Sequence, residues 1–216
     1  MKIARLISDE NGGALVEATV MLLITFLVLF GSVDFLNAFY QWNMANKAVQ
    51  LGARIAAVSD PVASDLPAFD WISTTYSPGD PLSASGNLYS WTCTSSGCGS
   101  GAGYNPDALK TIVFGRNWLV SGNSRCDPTT NLYLRGMCHM FSRVGLDNVQ
   151  ITYADSGLGF AYRSAGPIPT ITVRLQNLPF QFFFLSGLMG FANIQIPTEA
   201  TSITGEDVSS AGPPAP

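Results

Sequence analysis

The chain has 216 residues, of which 47% are hydrophobic and only 12% are charged. This length is enough for one ordinary domain with an added helix, or for two small domains, and the composition excludes a chain that is disordered throughout. The charged fraction is about half of that in average soluble proteins, so we expect part of the chain to lie in a membrane. The net charge is −4, so the chain lacks the excess of basic residues that nucleic-acid binding needs, and no nucleic-acid partner is expected.

The longest apolar segment, residues 14–33, comes near the N-terminus. As a helix its twenty residues would span about 30 Å, the thickness of the hydrocarbon core of a bilayer. Lys2 and Arg5 precede the segment, whereas the next basic residue is Lys47. This bias predicts a single pass through the inner (cytoplasmic) membrane, with the N-terminus in the cytoplasm and the bulk of the chain outside it.

A cleaved secretory signal peptide is the simpler alternative, because a short basic region followed by an apolar stretch is typical of one. The stretch is longer than usual for a signal peptide, however, and no good small-x-small cleavage site follows it. Apolar residues also recur at roughly helical spacing through residues 34–58. We therefore predict one helix over residues 14–57, about 66 Å long.

Glu17 is the only charge inside the apolar segment. An ionisable group there costs roughly 2.5–3.5 kcal/mol, which favours a functional role, although a position near the membrane interface is the simpler explanation. The preceding Gly12-Gly13 resembles the processing site of type IV pilin-like proteins, which are cut after a glycine and carry glutamate at the fifth mature position. A cut after Gly12 makes Gly13 the first residue and Glu17 the fifth.

The rest of the helix indicates a more specific family within the pilin-like proteins. The segments that carry it are Gly31-Ser32-Val33-Asp34-Phe35, Ala38-Phe39-Tyr40-Gln41 and a stretch over residues 46–57 that contains Gly52-Ala53-Arg54. They resemble the TadE-like proteins of tight-adherence (Flp, type IVc) pilus systems, over about a fifth of the chain. The resemblance implies processing by a prepilin peptidase, pairing of Glu17 with the free amine of a neighbouring subunit, and a minor pilin or pseudopilin that contacts other pilins and pilus-assembly platform proteins.

The four cysteines, at positions 93, 98, 126 and 138, all follow the apolar segment. An even number on one side of a membrane span predicts two disulfides in an oxidising compartment. The spacing favours the local pairs Cys93–Cys98 and Cys126–Cys138, but all three pairings stay open. A zinc site built from these cysteines, or from three of them with His139, would match no common zinc module, so no metal is expected.

The exported part is predicted to be an α+β domain with an antiparallel sheet. Residues 59–105 are rich in turn residues, with a short strand at 87–92, and a helix over 106–119 is expected to be capped by Asn105 or Asp107. Alternation predicts strands at 149–153 and 171–175, and β-branched residues predict a long third strand over 192–203 that bends near Pro197.

An apolar run over residues 178–191 separates the last two predicted strands and is too short for a second span. It is either a buried turn or short helix that covers the sheet, or an exposed patch that docks on a membrane surface or another subunit. Residues 205–216 have no core-forming character and are expected to form a disordered tail.

Nothing in the sequence indicates catalysis. His139 is the only histidine, no G-x-S-x-G pattern is present, and the alternating glycines at 99, 101 and 103 follow no strand and precede no lysine-serine pair. We therefore expect neither an enzyme nor a cofactor.

These patterns together predict four segments: a leader at 1–12, a transmembrane and amphipathic helix at 13–58, an extracytoplasmic α+β domain at 59–204, and the tail. The expected function is that of a minor pilin or pseudopilin in filament initiation, assembly or surface adhesion. A TadF-like or TadG-like role is a related alternative, although TadG-like proteins usually carry a much larger adhesive domain. From a different class, the alternative is a membrane-anchored extracytoplasmic binding domain unrelated to pili.

Overall fold

The computed structural model describes residues 10–67, 76–82, 89–116, 118, 126, 134–162, 168–184, 186–187, 194–197, 200–205 and 208. The chain divides into two compact units. We call Met1–Tyr40 with Pro179–Ile194 the helical unit, and Gln41–Leu178 with Gln195–Pro216 the sheet unit. The predicted four-segment division stays a prediction.

Helix α1, Glu10–Ala57, is a single α-helix of 48 residues. It begins four residues before the start predicted from the sequence. Its Gly13–Ala57 portion is long and apolar enough to cross a membrane. Polar side chains within this stretch bond to their own helix: the hydroxyls of Thr19, Thr25 and Ser32 each donate to the carbonyl four residues earlier, at 2.7–2.8 Å. These hydroxyls are therefore satisfied without water.

The sheet unit contains a five-stranded antiparallel sheet, which confirms the predicted α+β class. Its strands are β1 (Ser90–Thr94), β2 (Gly97–Cys98), β3 (Val149–Leu158), β4 (Ile168–Leu175) and β5 (Thr201–Thr204). They lie side by side in the order β2-β1-β3-β4-β5. Buried residues alternate with partly exposed ones along β3 and β4, so the sheet has one covered face, as the alternation predicted.

Two of the predicted strands differ from the structure in their position or length. The strand expected at 87–92 lies at Ser90–Thr94 instead, and residues 87–88 are outside the described part. The long strand expected at 192–203 is wrong in length: in its described part, only residues from Thr201 onward form a strand. Proline without an N–H cannot donate to a ladder, which explains why pairing is interrupted near Pro197.

Helix α2, Pro106–Phe114, begins as predicted at Asn105, whose side-chain oxygen accepts the N–H groups of Asp107 and Ala108. It ends earlier than predicted, at Gly115, where φ is +82°. Residues with a side chain rarely adopt this backbone conformation, so the helix ends at the glycine. Of the predicted last residues, 117 and 119 lie outside the described part.

Two short elements precede β3: helix α3, Met137–Met140, and the 3₁₀ turn Leu146–Asn148. The core of the sheet unit combines α1 after residue 41, α2, α3 and the covered sheet face. Its fully buried members include Val49, Leu109, Ile112, Met137, Ile151, Tyr153, Ile171 and Val173.

The loop after α1 is tied to this core. The backbone N–H of Val62 donates to the Tyr153 hydroxyl at 3.0 Å, and the Val62 carbonyl accepts from the N–H of Asn105 at 2.8 Å. At the other end of the chain, the N–H of Gly205 donates to the carbonyl of Pro169. Most of the predicted tail at 205–216 lies outside the described residues.

Candidate functional site

The predicted processing site lies within α1, where Gly12 and Gly13 are part of the continuous helix. Open space surrounds Gly13, since a Cβ built on it meets nothing within 4 Å. Glu17 follows one turn later and its side chain is exposed. Among the residues that the structure describes, Glu17 takes part in no hydrogen bond or ion pair. Its carboxylate is therefore available to a group from outside the described chain.

The apolar stretch of α1 is uncovered. Every residue from 13 to 30 is exposed, and none of the most apolar window is buried by the described chain. The large side chains concerned include Leu15, Val20, Met21, Leu22, Leu23, Ile24, Phe26, Leu27, Val28, Leu29 and Phe30. A surface of this size needs hydrocarbon or another polypeptide around it.

Asp34 has the opposite character, because it is a fully buried acidic residue at the end of this stretch. One carboxylate oxygen accepts the backbone N–H of Phe183 at 2.7 Å, and the other accepts that of Phe184 at 2.9 Å. Hydrogen bonds to an ionised group are the stronger kind. Asp34 therefore holds a segment 149 residues away in the sequence against α1.

We call residues 179–184 the aromatic loop. Besides Asp34, it is held by Asn37, whose Nδ2 donates to the carbonyl of Gln181 at 2.8 Å, and by Phe30, whose ring stacks on that of Phe184 with centroids 4.4 Å apart. Its own Phe180 donates its N–H to the carbonyl of Ile194. The loop groups with α1 in the helical unit.

This placement bears on the two interpretations of the apolar run at 178–191. Leu178 is buried in the sheet unit, whereas Phe183 and Phe184 are exposed and their N–H groups bond to α1. The exposed apolar patch is therefore limited to the end of the aromatic loop, and the interpretation as a buried cover stays a prediction. Residues 185 and 188–191 of the run lie outside the described part.

Further along α1, the Gly52-Ala53-Arg54 motif packs within the sheet unit. Gly52 and Ala53 are buried, and a Cβ on Gly52 would meet the side chain of Met137, at 2.5 Å from its Sδ. Glycine thus lets α3 approach α1 closely. At the start of the sheet unit, the buried Gln41 accepts a hydrogen bond from Arg143 at 2.8 Å, and burial lowers the pKa of that guanidinium.

Both disulfides are present, with the local pairing that the spacing favours. Cys93–Cys98 joins the paired strands β1 and β2, and Cys126–Cys138 closes a longer loop at α3. Each sulfur of the second pair lies near Nδ1 of His139, at 3.7 and 3.8 Å. This arrangement lines a cavity of about 440 Å³ together with Arg135 and Ser142.

The second disulfide and His139 also form the one three-ligand group of metal-binding type found among the described residues, with ligand atoms within 4.8 Å of one another. The two sulfurs are bonded to each other and so are not thiolates, which metal binding requires. Nδ1 of His139 already accepts the N–H of Gly136 at 3.1 Å. In this oxidised form, the group stabilises the fold around α3.

Comparison with known proteins bears on the helix alone. A family model described as TadE-like protein matches residues 12–54, about a fifth of the chain. None of the curated proteins and none of the solved structures matches the chain. The match confirms the resemblance to TadE-like proteins over that segment and associates the chain with pilus assembly.

The matched segment contains Gly12, Gly13, Glu17, Asp34 and the Gly52 motif. In the sequence, Asp34 stands out only as part of a motif, without an indicated partner. The available signal was an acidic residue at the end of an apolar helix together with a distant run of phenylalanines. That signal does not specify that the backbone of the run, and not a basic side chain, would satisfy the carboxylate.

Proposed function

We propose that the chain is a minor pilin or pseudopilin of a tight-adherence (Flp, type IVc) pilus, acting in filament initiation, assembly or surface adhesion after cleavage between Gly12 and Gly13. The observation that carries the proposal is the TadE-like match over residues 12–54, on a helix whose apolar surface the described chain leaves uncovered. A filament subunit needs such a surface, because neighbouring helices bury it in the assembly.

Cleavage by a prepilin peptidase would create a free amine at Gly13. Glu17 lies four residues further, so the amine and the carboxylate would occupy the same helix face about 6 Å apart along the axis. Each subunit then presents one positive and one negative charge close together in an apolar surrounding. Pairing the carboxylate of one subunit with the amine of a neighbour offsets the cost of both charges and fixes the axial stagger between subunits.

The proposed location is the inner membrane, with a single pass and a cytoplasmic N-terminus, and with incorporation into the pilus as the endpoint. The sheet unit would lie outside the cytoplasm, which agrees with its two disulfides. The proposed partners are the prepilin peptidase, other pilins and the proteins of the assembly platform. We propose a structural role without catalysis or cofactor.

The test is pilus formation in cells that carry Glu17→Leu. We expect the protein to reach the membrane at an unchanged level. The number of pili should fall by about tenfold or more, because a loss of only about 1.4 kcal/mol in the free energy of subunit association corresponds to tenfold. Glu17→Asp should restore part of the loss. Thr25→Val is the matched control, because among the described residues the Thr25 hydroxyl bonds to its own helix, at the carbonyl of Met21.

Unchanged pilus formation with Glu17→Leu would contradict this role for the carboxylate. It would favour the alternative, a membrane-anchored binding domain for which α1 is only an anchor. For such a domain, leucine at position 17 should make membrane insertion easier.

A further inference from the structure

The aromatic loop exposes apolar side chains while several of its backbone polar groups are hydrogen-bonded. Phe183 is 69% exposed and Phe184 44% exposed, and residues 179–184 contain no charge. The N–H groups of Phe183 and Phe184 bond to Asp34, and the Gln181 carbonyl bonds to Asn37. A segment that enters an apolar medium has to satisfy its backbone in this way.

The part of α1 that the aromatic loop contacts indicates how deep the loop would lie in a bilayer. Residues 13 to 34 rise about 33 Å, close to the thickness of a hydrocarbon core, so a helix that enters the core at Gly13 leaves it near Asp34. Phe30 lies one turn, or about 6 Å, before Asp34. Because the ring of Phe184 stacks on that of Phe30, the loop extends to the level at which acyl chains begin.

The exposed apolar surface at this level lies on more than one face of the helix. On α1 itself, Phe35, Leu36, Phe39 and Tyr40 are each at least 52% exposed. Successive helical residues point about 100° apart, so Phe35 and Leu36 already face different directions. A fluid medium covers all directions at once, whereas a single protein partner covers one side. Aromatic side chains at the end of an apolar span are typical of the membrane interface.

We propose that the aromatic loop inserts into the extracytoplasmic interface of the lipid bilayer as a second membrane contact, with Asp34 and Asn37 fixing it to the membrane-spanning helix. The inference rests on the proposed membrane anchoring of α1. Two contacts restrict the depth and the rotation of the helix, which a single span leaves free. The subunit would thus present a defined face of α1 before it is assembled.

The test places the photoreactive residue p-benzoylphenylalanine at position 183 of the full chain, reconstituted in vesicles of phosphatidylethanolamine and phosphatidylglycerol. After irradiation, mass spectrometry measures the added mass of one phospholipid. Phe160 is the matched control, since it is also a phenylalanine, is 60% exposed and belongs to the sheet unit. The same photoreactive residue at position 22 reports on membrane insertion of α1 itself, because Leu22 lies in the middle of the apolar stretch and is 56% exposed.

We expect phospholipid adducts at positions 183 and 22, and none at position 160. Adducts at 22 without adducts at 183 would overturn the inference and leave the membrane anchor intact. Crosslinks between two copies of the chain at 183, in place of lipid adducts, would overturn it in favour of subunit docking. Absence of lipid adducts at both 183 and 22 would overturn the membrane anchoring as well as the inference.

Discussion

The two units of this chain bury opposite kinds of residue. In the sheet unit, the buried side chains are mainly apolar, from Val49 of α1 to Val173 of β4. In the described part of the helical unit, the large apolar side chains are mostly exposed, and the fully buried side chain is the carboxylate of Asp34. The sheet unit is organised like a protein in water, and the helical unit like one in an apolar medium.

This difference assigns a separate source of stability to each unit. Hydrophobic burial within the chain holds the sheet unit, with two disulfides that restrict its unfolded state. In the proposed membrane location, the helical unit gains little from covering its own apolar surface, so its backbone hydrogen bonds and the bonds of Asp34 are expected to hold it. Variants in one unit should therefore leave the stability of the other unit unaffected.

The largest effect is expected at Gly115 in the sheet unit. Its φ is +82°, and a Cβ there would collide with the backbone of Leu134 and Gly136. Gly115→Ala should lower the free energy of unfolding of the sheet unit by about 3 kcal/mol, the upper end for backbone strain. Denaturant unfolding of the full chain in detergent measures this.

Gly79→Ala is its control, because Gly79 also has a positive φ, +89°, with nothing within 4 Å of a built Cβ. The expected cost is about 1 kcal/mol, for the conformation alone. Equal losses for the two variants would mean that the close approach at Gly115 contributes nothing.

The disulfides should contribute in the order of the loops that they close. Replacing Cys126 and Cys138 by serine opens a link with a sequence separation of 12, and the same change at Cys93 and Cys98 opens one of 5. Chain entropy predicts losses of about 3 and about 2 kcal/mol in the sheet unit. The reverse order would indicate that contacts around His139 or β2, and not loop entropy, determine the effect.

Asp34→Asn tests the helical unit. The amide offers one carbonyl oxygen where the carboxylate offered two, so one of the N–H groups of Phe183 and Phe184 loses its acceptor, at a cost of about 2 kcal/mol. Hydrogen exchange at these two amides should become faster by more than about tenfold, while amides of β3 keep their protection. Ser32→Ala, which removes only a bond within α1, should change neither. Loss of protection in β3 would contradict the separation of the units.

The smallest effect is on the pH dependence of the sheet unit. Burial raises the pKa of Tyr153, and burial followed by the charge of Asp155 raises that of Tyr89. A phenol whose pKa is higher in the folded state stabilises the fold fully below its unfolded value, about 10, and this stability is lost as the pH rises above it. Because the unfolded phenol is only half ionised at pH 10, the unfolding free energy should fall by about 1 kcal/mol for each tyrosine between pH 10 and 11. Tyr153→Phe should remove the share of one tyrosine from this slope, and an unchanged slope would exclude Tyr153 as a source.

Local patterns predicted most of the elements. The alternation in β3 and β4 and the Asn105 cap were sufficient, because each depends on neighbours within a few residues. The contact of the aromatic loop with α1 was not predictable from local patterns. Its partner Asp34 lies 149 residues earlier, and neither periodicity nor turn chemistry encodes a contact over that distance. The early end of α2 at Gly115 was missed because the apolar pattern continues past the glycine.

The candidate site likewise has features that the sequence predicts and features that it does not. Glycine followed by glutamate at a fixed offset is a local pattern, and it indicated Gly12, Gly13 and Glu17 from the sequence. The partners proposed for those residues are groups of other chains, which one sequence does not specify. The cysteine pairs were favoured by spacing, whereas the proximity of His139 to the second pair required the folded chain.

The most direct test of the central proposal is the N-terminal mass of the protein recovered from native membranes. The proposal predicts a mature chain that begins at Gly13, so that the new amine lies one helical turn from Glu17. An intact Met1, or a start beyond residue 33 that removes Glu17 together with the apolar stretch, would contradict it.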